Sequence, residues 1–448
     1  MELVDAAEYA VKISEKRGAD EAEAFTRNQR VVEVVLERGE IQSERSKTQQ
    51  GIGVRLIKDK KLGFTYSSVL SRDVIEKICL NAVKLANTSP SNPDWVSLPL
   101  PKSPPAAPDG IYDEKVAGLN SEDILDLVVQ GYDAVKSTDS RASIDDGKFS
   151  SYTVKVAISN SHGISLEGQG TALSFYLVCV AKENGETSSF AFEYDISRTL
   201  KGFDPVNVGK QAAQKTVASL HAKTVESFEG DILLSPDVAA EIVFVPIASS
   251  VDADNVQRGR SIWADKIGEE VSDQKLTVQD EGLLPYGIGS SPFDAEGTPS
   301  QTTRMIKKGV LKGYLYDSYT ANKANVESTG NASRMGYFSL PAVSISNMVV
   351  ETGSGKIDDL LSEVDKGIYV SRFSGNVNPQ SGDFSGLVKQ ASYVEKGEIK
   401  FPLKETMIAG NTFEALRNIV RIGSETRPTL MGVYTPPLIT KNIKIVSK

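Results

Sequence analysis

Apolar residues recur at helical spacing over residues 3–17, where Leu3, Ala7, Ala10, Val11 and Ser14 fall on one face. Lys16 and Arg17 close the stretch and Gly18 stops it, so the pattern predicts a helix. The period then drops to two. Residues 21–28, 30–38, 51–58 and 62–68 read as strands, and in the third Ile52, Val54 and Leu56 alternate with Gly53 and Arg55. Ser71 is placed to cap a second helix whose stripe is Val74, Ile75, Ile78, Cys79, Ala82 and Leu85. Helix, antiparallel strands, helix is an α+β module with helices on one sheet face.

Seven prolines between Thr88 and Gly110 interrupt both periods. Proline at that density donates to neither helix nor sheet, so an extended connector is expected. Trp95, Leu98 and Leu100 give it apolar anchors, which favours a strap packed on the first module over a free spacer. A helix over 121–136 follows. Period two then returns at 152–159, 163–169 and 171–182, a meander of long antiparallel strands. Residues 204–220 read as helix, 231–234 as a strand and 236–243 as a helix with Pro236 in its first turn. Beyond about Val256 the pattern is mostly loops and short strands. The predicted fold is α+β, an N-terminal module of helices on an antiparallel sheet followed by a larger β-rich C-terminal domain with flanking helices. The expected divisions are 1–88 (α+β module), 89–119 (Pro-rich connector), 120–225 (helix plus meander continuing the N-terminal domain) and 226–448 (β-rich domain).

Composition narrows the function classes. With 448 residues, 40% hydrophobic and 24% charged, the chain is long enough for two or three ordinary globular domains. A net charge of -9 argues against binding a phosphate backbone. The opening MELVDAAEYAVKISEKRGAD has no basic stretch before an apolar core, and no apolar run approaches membrane-spanning length, so a cytoplasmic location is expected. Cys79 and Cys179 stand 100 residues apart in apolar surroundings and read as buried free thiols.

The densest punctuation lies between Asp280 and Arg334. Acidic residues at Asp280, Glu281, Asp294 and Glu296 are interleaved with Gly282 and Gly297. A β-hairpin follows, with Thr302 to Ile306 and Val310-Leu311 on either side of Lys307-Lys308-Gly309. The order DEG, FDAEGTP, GVLKGYL and STGNASR resembles the TldD/PmbA family, the "modulator of DNA gyrase" group of metallopeptidase-like proteins. SGDFSG, EIKFPLKETMIAGN and the N-terminal GIGVRLIKDKKLGFTYSS fit the same family, so the resemblance spans nearly the whole chain.

The catalytic branch of that family carries H-E-x-x-x-H on a helix and a later cysteine, which together hold zinc. Aligned on Asp254 and Arg258-Gly259, the resemblance puts Phe244 and Ser249 at the histidine positions and Val245 at the glutamate position. No histidine occurs in that segment, Pro246 is expected to disturb a zinc-binding helix, and 421–427 holds no cysteine. His162 and His221, the only histidines, sit apart at a turn and a helix end. No catalytic residue and no metal site are therefore expected in this chain. The resemblance implies a PmbA/TldE-like chain that pairs with a zinc-bearing TldD-like paralogue to enclose a channel where unfolded peptides are cut. This chain would be the structural, substrate-gating subunit, with zinc in the partner. Candidate channel-lining or structural polar residues are Asp252, Asp254, Arg258, Asp294, Glu296, Arg304, Arg334 and Asp383. Two alternatives stay open, a stand-alone homodimer that binds peptides and a hydrolase that uses carboxylates in place of the missing motif. GSGK at 353–356 lacks the rest of a phosphate loop and reads as a hairpin turn.

Overall fold

The computed structural model describes residues 1–103 and 106–447. The fold is α+β. Its first half is one antiparallel sheet built from unusually long strands. In chain order the elements are α1 (Leu3–Lys16), β1 (Glu21–Glu37), β2 (Glu40–Lys58), β3 (Lys61–Ser67), α2 (Arg72–Thr88), α3 (Glu114–Gly118) and α4 (Ser121–Thr138). They continue as β4 (Ala142–Asn160), β5 (Ser165–Glu183), β6 (Glu186–Thr187), β7 (Ala191–Ser197) and α5 (Pro205–Ala218). The sheet order is β3-β2-β1-β4-β5-β6, with β7 also on β5. At about 3.4 Å per residue, a 19-residue strand such as β4 reaches roughly 65 Å.

That length lets one sheet carry two cores. At one end, Ile52, Val54 and Leu56 pack under α1 and α2 with Ala7, Ala10, Ile78 and Ala82. At the other, Val32, Val34, Leu36, Phe149 and Phe175 pack under α4 and α5. The sequence pattern breaks these strands where the structure does not. Residues 21–28 and 30–38 are one strand, and β5 runs through the expected gap at Gly170. Residues 40–50 also belong to β2 although no apolar alternation marks them, because there both faces of the strand are exposed. Leu85 is 46% exposed, and Ala86 fills the stripe in its place.

The proline-rich segment behaves as a strap at two of its three expected anchors. Trp95 and Leu98 are buried against Ile57, Trp95 Nε1 donates to Glu21 Oε2 at 2.7 Å, and Leu98 N donates to Glu21 Oε1 at 3.0 Å. Leu100 is exposed instead, although the preceding Pro99 carbonyl still accepts from Asn160 Nδ2 at 2.9 Å. Pro104 and Pro105 lie outside the described residues.

The second half begins with Phe228–Leu234. This strand pairs in parallel with Lys366–Val377 and antiparallel with Leu438–Ser447. The ladder continues through Thr406–Asn411 to Asp383–Glu395, which pairs back onto Lys366–Val377 and closes the ring. A closed ring leaves these five strands no free edge. A second, six-stranded sheet contains Val278–Glu281 and the hairpin Thr302–Lys307/Val310–Leu311, whose turn uses Lys308 and Gly309 at positive φ. GSGK is not a hairpin turn. It leads from Met348–Val350 into the helix Ile357–Ser362.

Candidate functional site

Between the barrel formed by the five ring strands and the six-stranded sheet runs the helical segment that carries the degenerate motif. Ser235 caps Pro236–Ala239, a π turn covers Ala240–Phe244, and Val245–Val251 continues as α-helix. Pro246 does not break it. A proline has no N–H for the carbonyl four residues back, that of Ile242, and Thr412 Oγ1 donates to this carbonyl at 2.5 Å instead. Phe244 is fully buried in the barrel core, whereas Val245 and Ser249, one turn apart, line a cavity of about 310 Å³ with Asp252, Leu315 and Val343.

This cavity is the middle of three. Asp252 and Val343 also line one of about 370 Å³, which reaches Arg55, Trp95, Asp254, Arg258, Asp317 and Tyr319. Ser344 and Ile345 also line one of about 290 Å³, whose walls include Phe25, Arg27, Asp294 and Arg334. The shared walls set the three cavities side by side as one cleft divided by the segment 342–346.

The carboxylates of the cleft have separate structural duties. Asp252 caps the helix Ala253–Gln257, and Asp254 pairs with Arg258 at 2.7 Å. Burial raises the Asp252 pKa, although the backbone N–H groups it accepts oppose the shift. Asp317 caps Ser318–Ala324, and burial together with the charge of Glu296 pushes it up to about 6. Asp294 accepts from the backbone N–H of Glu296, Thr298 and Ala332 at 2.9, 3.0 and 3.0 Å, so it folds its own loop. Its pKa rises through burial and the nearby Glu296 charge.

Glu296 has no exposed surface. It takes Arg55 Nη2 at 2.8 Å and the backbone N–H of Ser318 at 2.8 Å. The same Arg55 nitrogen lies 2.7 Å from Glu23 Oε2, and the other oxygen of Glu23 binds Arg334. Two arginines and two glutamates, all buried, therefore join the sheet to the C-terminal loops. Burial alone would lower the Arg55 pKa, but the charges of Glu23 and Glu296 outweigh it and raise it. At Arg334 burial prevails, reinforced by the Arg55 charge, and the pKa falls. Glu296 is held below its usual value because the Arg55 charge and the Ser318 hydrogen bonds outweigh burial.

Six of the eight candidate polar residues therefore line or brace this cleft. Arg304 is exposed on the hairpin strand Thr302–Lys307. Asp383 is exposed where the turn 378–382 enters the strand Asp383–Glu395, and there Asn411 and Ser381 donate to it and lower its pKa. Pro379 of that turn reaches the middle cavity. Sequence reasoning missed Glu23, Arg55 and Asp317. A usable signal was present in GIGVR. A Cβ on Gly51 or Gly53 would lie 2.4 Å from the Tyr337 ring or 2.1 Å from its backbone oxygen, and glycine inside a strand marks such an approach. The face carrying Gly53 and Arg55 is thus buried.

The motif positions do not fit a zinc ion. Phe244 points into the core, Val245 offers no lone pair, and the polar side chains lining the cavity, Ser249, Asp252, Asn255 and Ser344, include no histidine or cysteine. Among the described residues, no group of three or more His, Cys, Asp or Glu side chains is placed to hold a metal. His162 binds Glu21 at 2.6 Å and His221 binds Glu183 and Glu186, both away from the helix.

The architecture defines the class. The crystal structure of TldE from Thermococcus kodakarensis has the same fold, with a TM-score of 0.91 at 24% identity, covering 99% of this chain and 100% of that one. Three consecutive stretches match the PmbA/TldA metallopeptidase domain 1 (22–86), central domain (114–220) and C-terminal domain (227–447). The chain belongs to the PmbA/TldD metallopeptidase family. It is 31% identical to Methanocaldococcus jannaschii protein MJ0231 over 92% of this chain and 94% of that one. It is 26% identical to the metalloprotease PmbA of Escherichia coli O157:H7 over 96% and 93%. No helix among the described residues is long and apolar enough to cross a membrane.

Proposed function

We propose that this chain is the non-catalytic, substrate-gating subunit of a metallopeptidase whose zinc is carried by a TldD-like paralogue. The observation that carries the reading is the helical segment 240–251, where the family's metal-binding positions hold Phe244, Val245 and Ser249 and the first of them is core. The cleft beside it supports the gating role, since its walls include short strand segments and turns that an extended peptide can follow by main-chain hydrogen bonds. Engagement of Asp294 and Glu296 in holding loops together counts against a carboxylate hydrolase, because neither is free to accept a proton from water. Mixing the purified chain with a TldD-like paralogue and an unstructured peptide tests the proposal. Cleavage by the mixture and none by this chain alone is expected, while turnover by the isolated chain overturns it.

A further inference from the structure

β3 covers the outer edge of β2 only from Ile52 to Lys58. From Glu40 to Gln50 that edge has no strand partner among the described residues, while its inner edge is paired with β1 throughout except for a bulge near Gln42. The free stretch is about 35 Å long at ~3.4 Å per residue. Native sheets shield such edges with proline, covering loops, short strands, bulges or charges; among the described residues this stretch has no proline and no covering element, only the bulge near Gln42 and its exposed charges. Glu40, Glu44, Arg45 and Lys47 are charged, yet none forms an ion pair among the described residues. At the Gly51 end the edge runs into an exposed apolar patch. Met335 is 83% exposed, and the rings of Tyr66, Tyr337 and Phe338 lie 5.6–6.4 Å apart. An unpaired edge continuous with an uncovered apolar patch is the outline of a protein interface.

We propose that this edge is where the paralogous subunit adds a strand, one that presents carboxylates to Arg45 and Lys47. The inference rests on the subunit reading above and goes beyond it by naming the surface and the chemistry of the partner strand. The charge pattern selects against a second copy of this chain. Two copies joined edge to edge about a two-fold axis must pair residues of like parity. Registers centred on the free stretch then set Arg45 against Arg45 or Lys47, or Glu44 against Glu44, and like charges directly opposed destabilise a ladder. By alternation Arg45 and Lys47 share one face, with Glu44, Ser46 and Thr48 on the other. A complementary strand therefore carries acids on the first face and neutral or basic residues on the second.

The test uses the full chain, a TldD-like paralogue and an affinity measurement at low ionic strength. Arg45→Glu/Lys47→Glu alters only exposed side chains, so thermal melting stays put while affinity falls at least tenfold. A control reversal at exposed Lys441 and Lys444 on the barrel leaves affinity unchanged. Ser46→Pro and Lys47→Pro give a second readout. Of two adjacent residues, one points its N–H outward, so the variant that spares melting is expected to weaken the complex. Unchanged affinity in both the charge-reversed chain and the melting-neutral proline variant overturns this interface while leaving the subunit reading intact. No complex with the unaltered chain overturns the subunit reading itself. Self-association abolished by the same variants overturns the choice of partner.

Discussion

Arg55→Met is the sharpest probe of how the two halves are held together. Arg55 is 4% exposed and its Nη2 serves Glu23 at 2.7 Å and Glu296 at 2.8 Å. Methionine keeps much of the volume but leaves Glu296 buried with no cation in contact, while Glu23 retains Arg334. Removing one member of a buried ion pair costs about 3–5 kcal/mol, most of it from the stranded charge rather than the lost attraction. The double variant Arg55→Met/Glu296→Met strands no charge on that side and is expected to recover a large part of the loss. Urea denaturation followed by tryptophan fluorescence suits the measurement. Trp95 lies 5.7 Å from the Arg55 guanidinium, and Trp263, the only other tryptophan, is buried in the barrel core. A first transition that moves to lower urea at Trp95, ahead of Trp263, is expected, because the half-to-half interface fails first. A loss below about 1 kcal/mol, or a double variant as unstable as the sum of the singles, would refute the argument that the network is a desolvated, interdependent unit.

Three further outcomes follow from the geometry. Thr412→Val removes the hydroxyl that the Ile242 carbonyl accepts beside Pro246 and should cost about 1–3 kcal/mol in chemical denaturation, whereas Thr412→Ser should cost far less. Gly53→Ala places a methyl 2.1 Å from the Tyr337 backbone oxygen, so the loop 335–340 should detach and become the first site cut in limited proteolysis. Asp280, pushed up to about 6 by burial, and Asp317, pushed up to about 6 by burial and Glu296, have folded pKa values above their unfolded ones. Their contribution is therefore full below about pH 4 and is lost as pH rises through about 6. The lowered Glu296 works in the opposite sense and loses its contribution only on stronger acidification. Hydrogen exchange in the loops around Ser346 and Thr320, corrected for intrinsic rates, should accordingly be slower at pH 5 than at pH 7.

How much of this was legible in the sequence depended on which faces were buried. Where one face was apolar, as at Ile52, Val54 and Leu56 or along α1, periodicity located both the element and its core side. The hairpin at Lys307-Lys308-Gly309 was legible because its turn chemistry is local. Glu40–Gln50 left no pattern because a strand exposed on both faces needs none, and its strand conformation follows from pairing with β1. The cleft was legible as a set of loops but not as a place. Asp294 and Glu296 stand out in the sequence as channel-lining or structural polar candidates, yet their partners, Ala332 for Asp294 and Arg55 for Glu296, lie 38 and 241 positions away, distances that no local pattern encodes. Leu85 and Leu100 show the converse: an apolar residue at a suitable spacing still faces solvent when no neighbouring element reaches it.

The central claim is that this chain gates but does not cut. It is tested most directly by incubating an unstructured peptide with the chain alone, with a TldD-like paralogue alone, and with both, while measuring the zinc bound by each subunit. The account predicts zinc in the paralogue, cleavage with both subunits present, and neither zinc nor cleavage in this chain alone. Stoichiometric zinc in this chain, or peptide turnover without the paralogue, would contradict it.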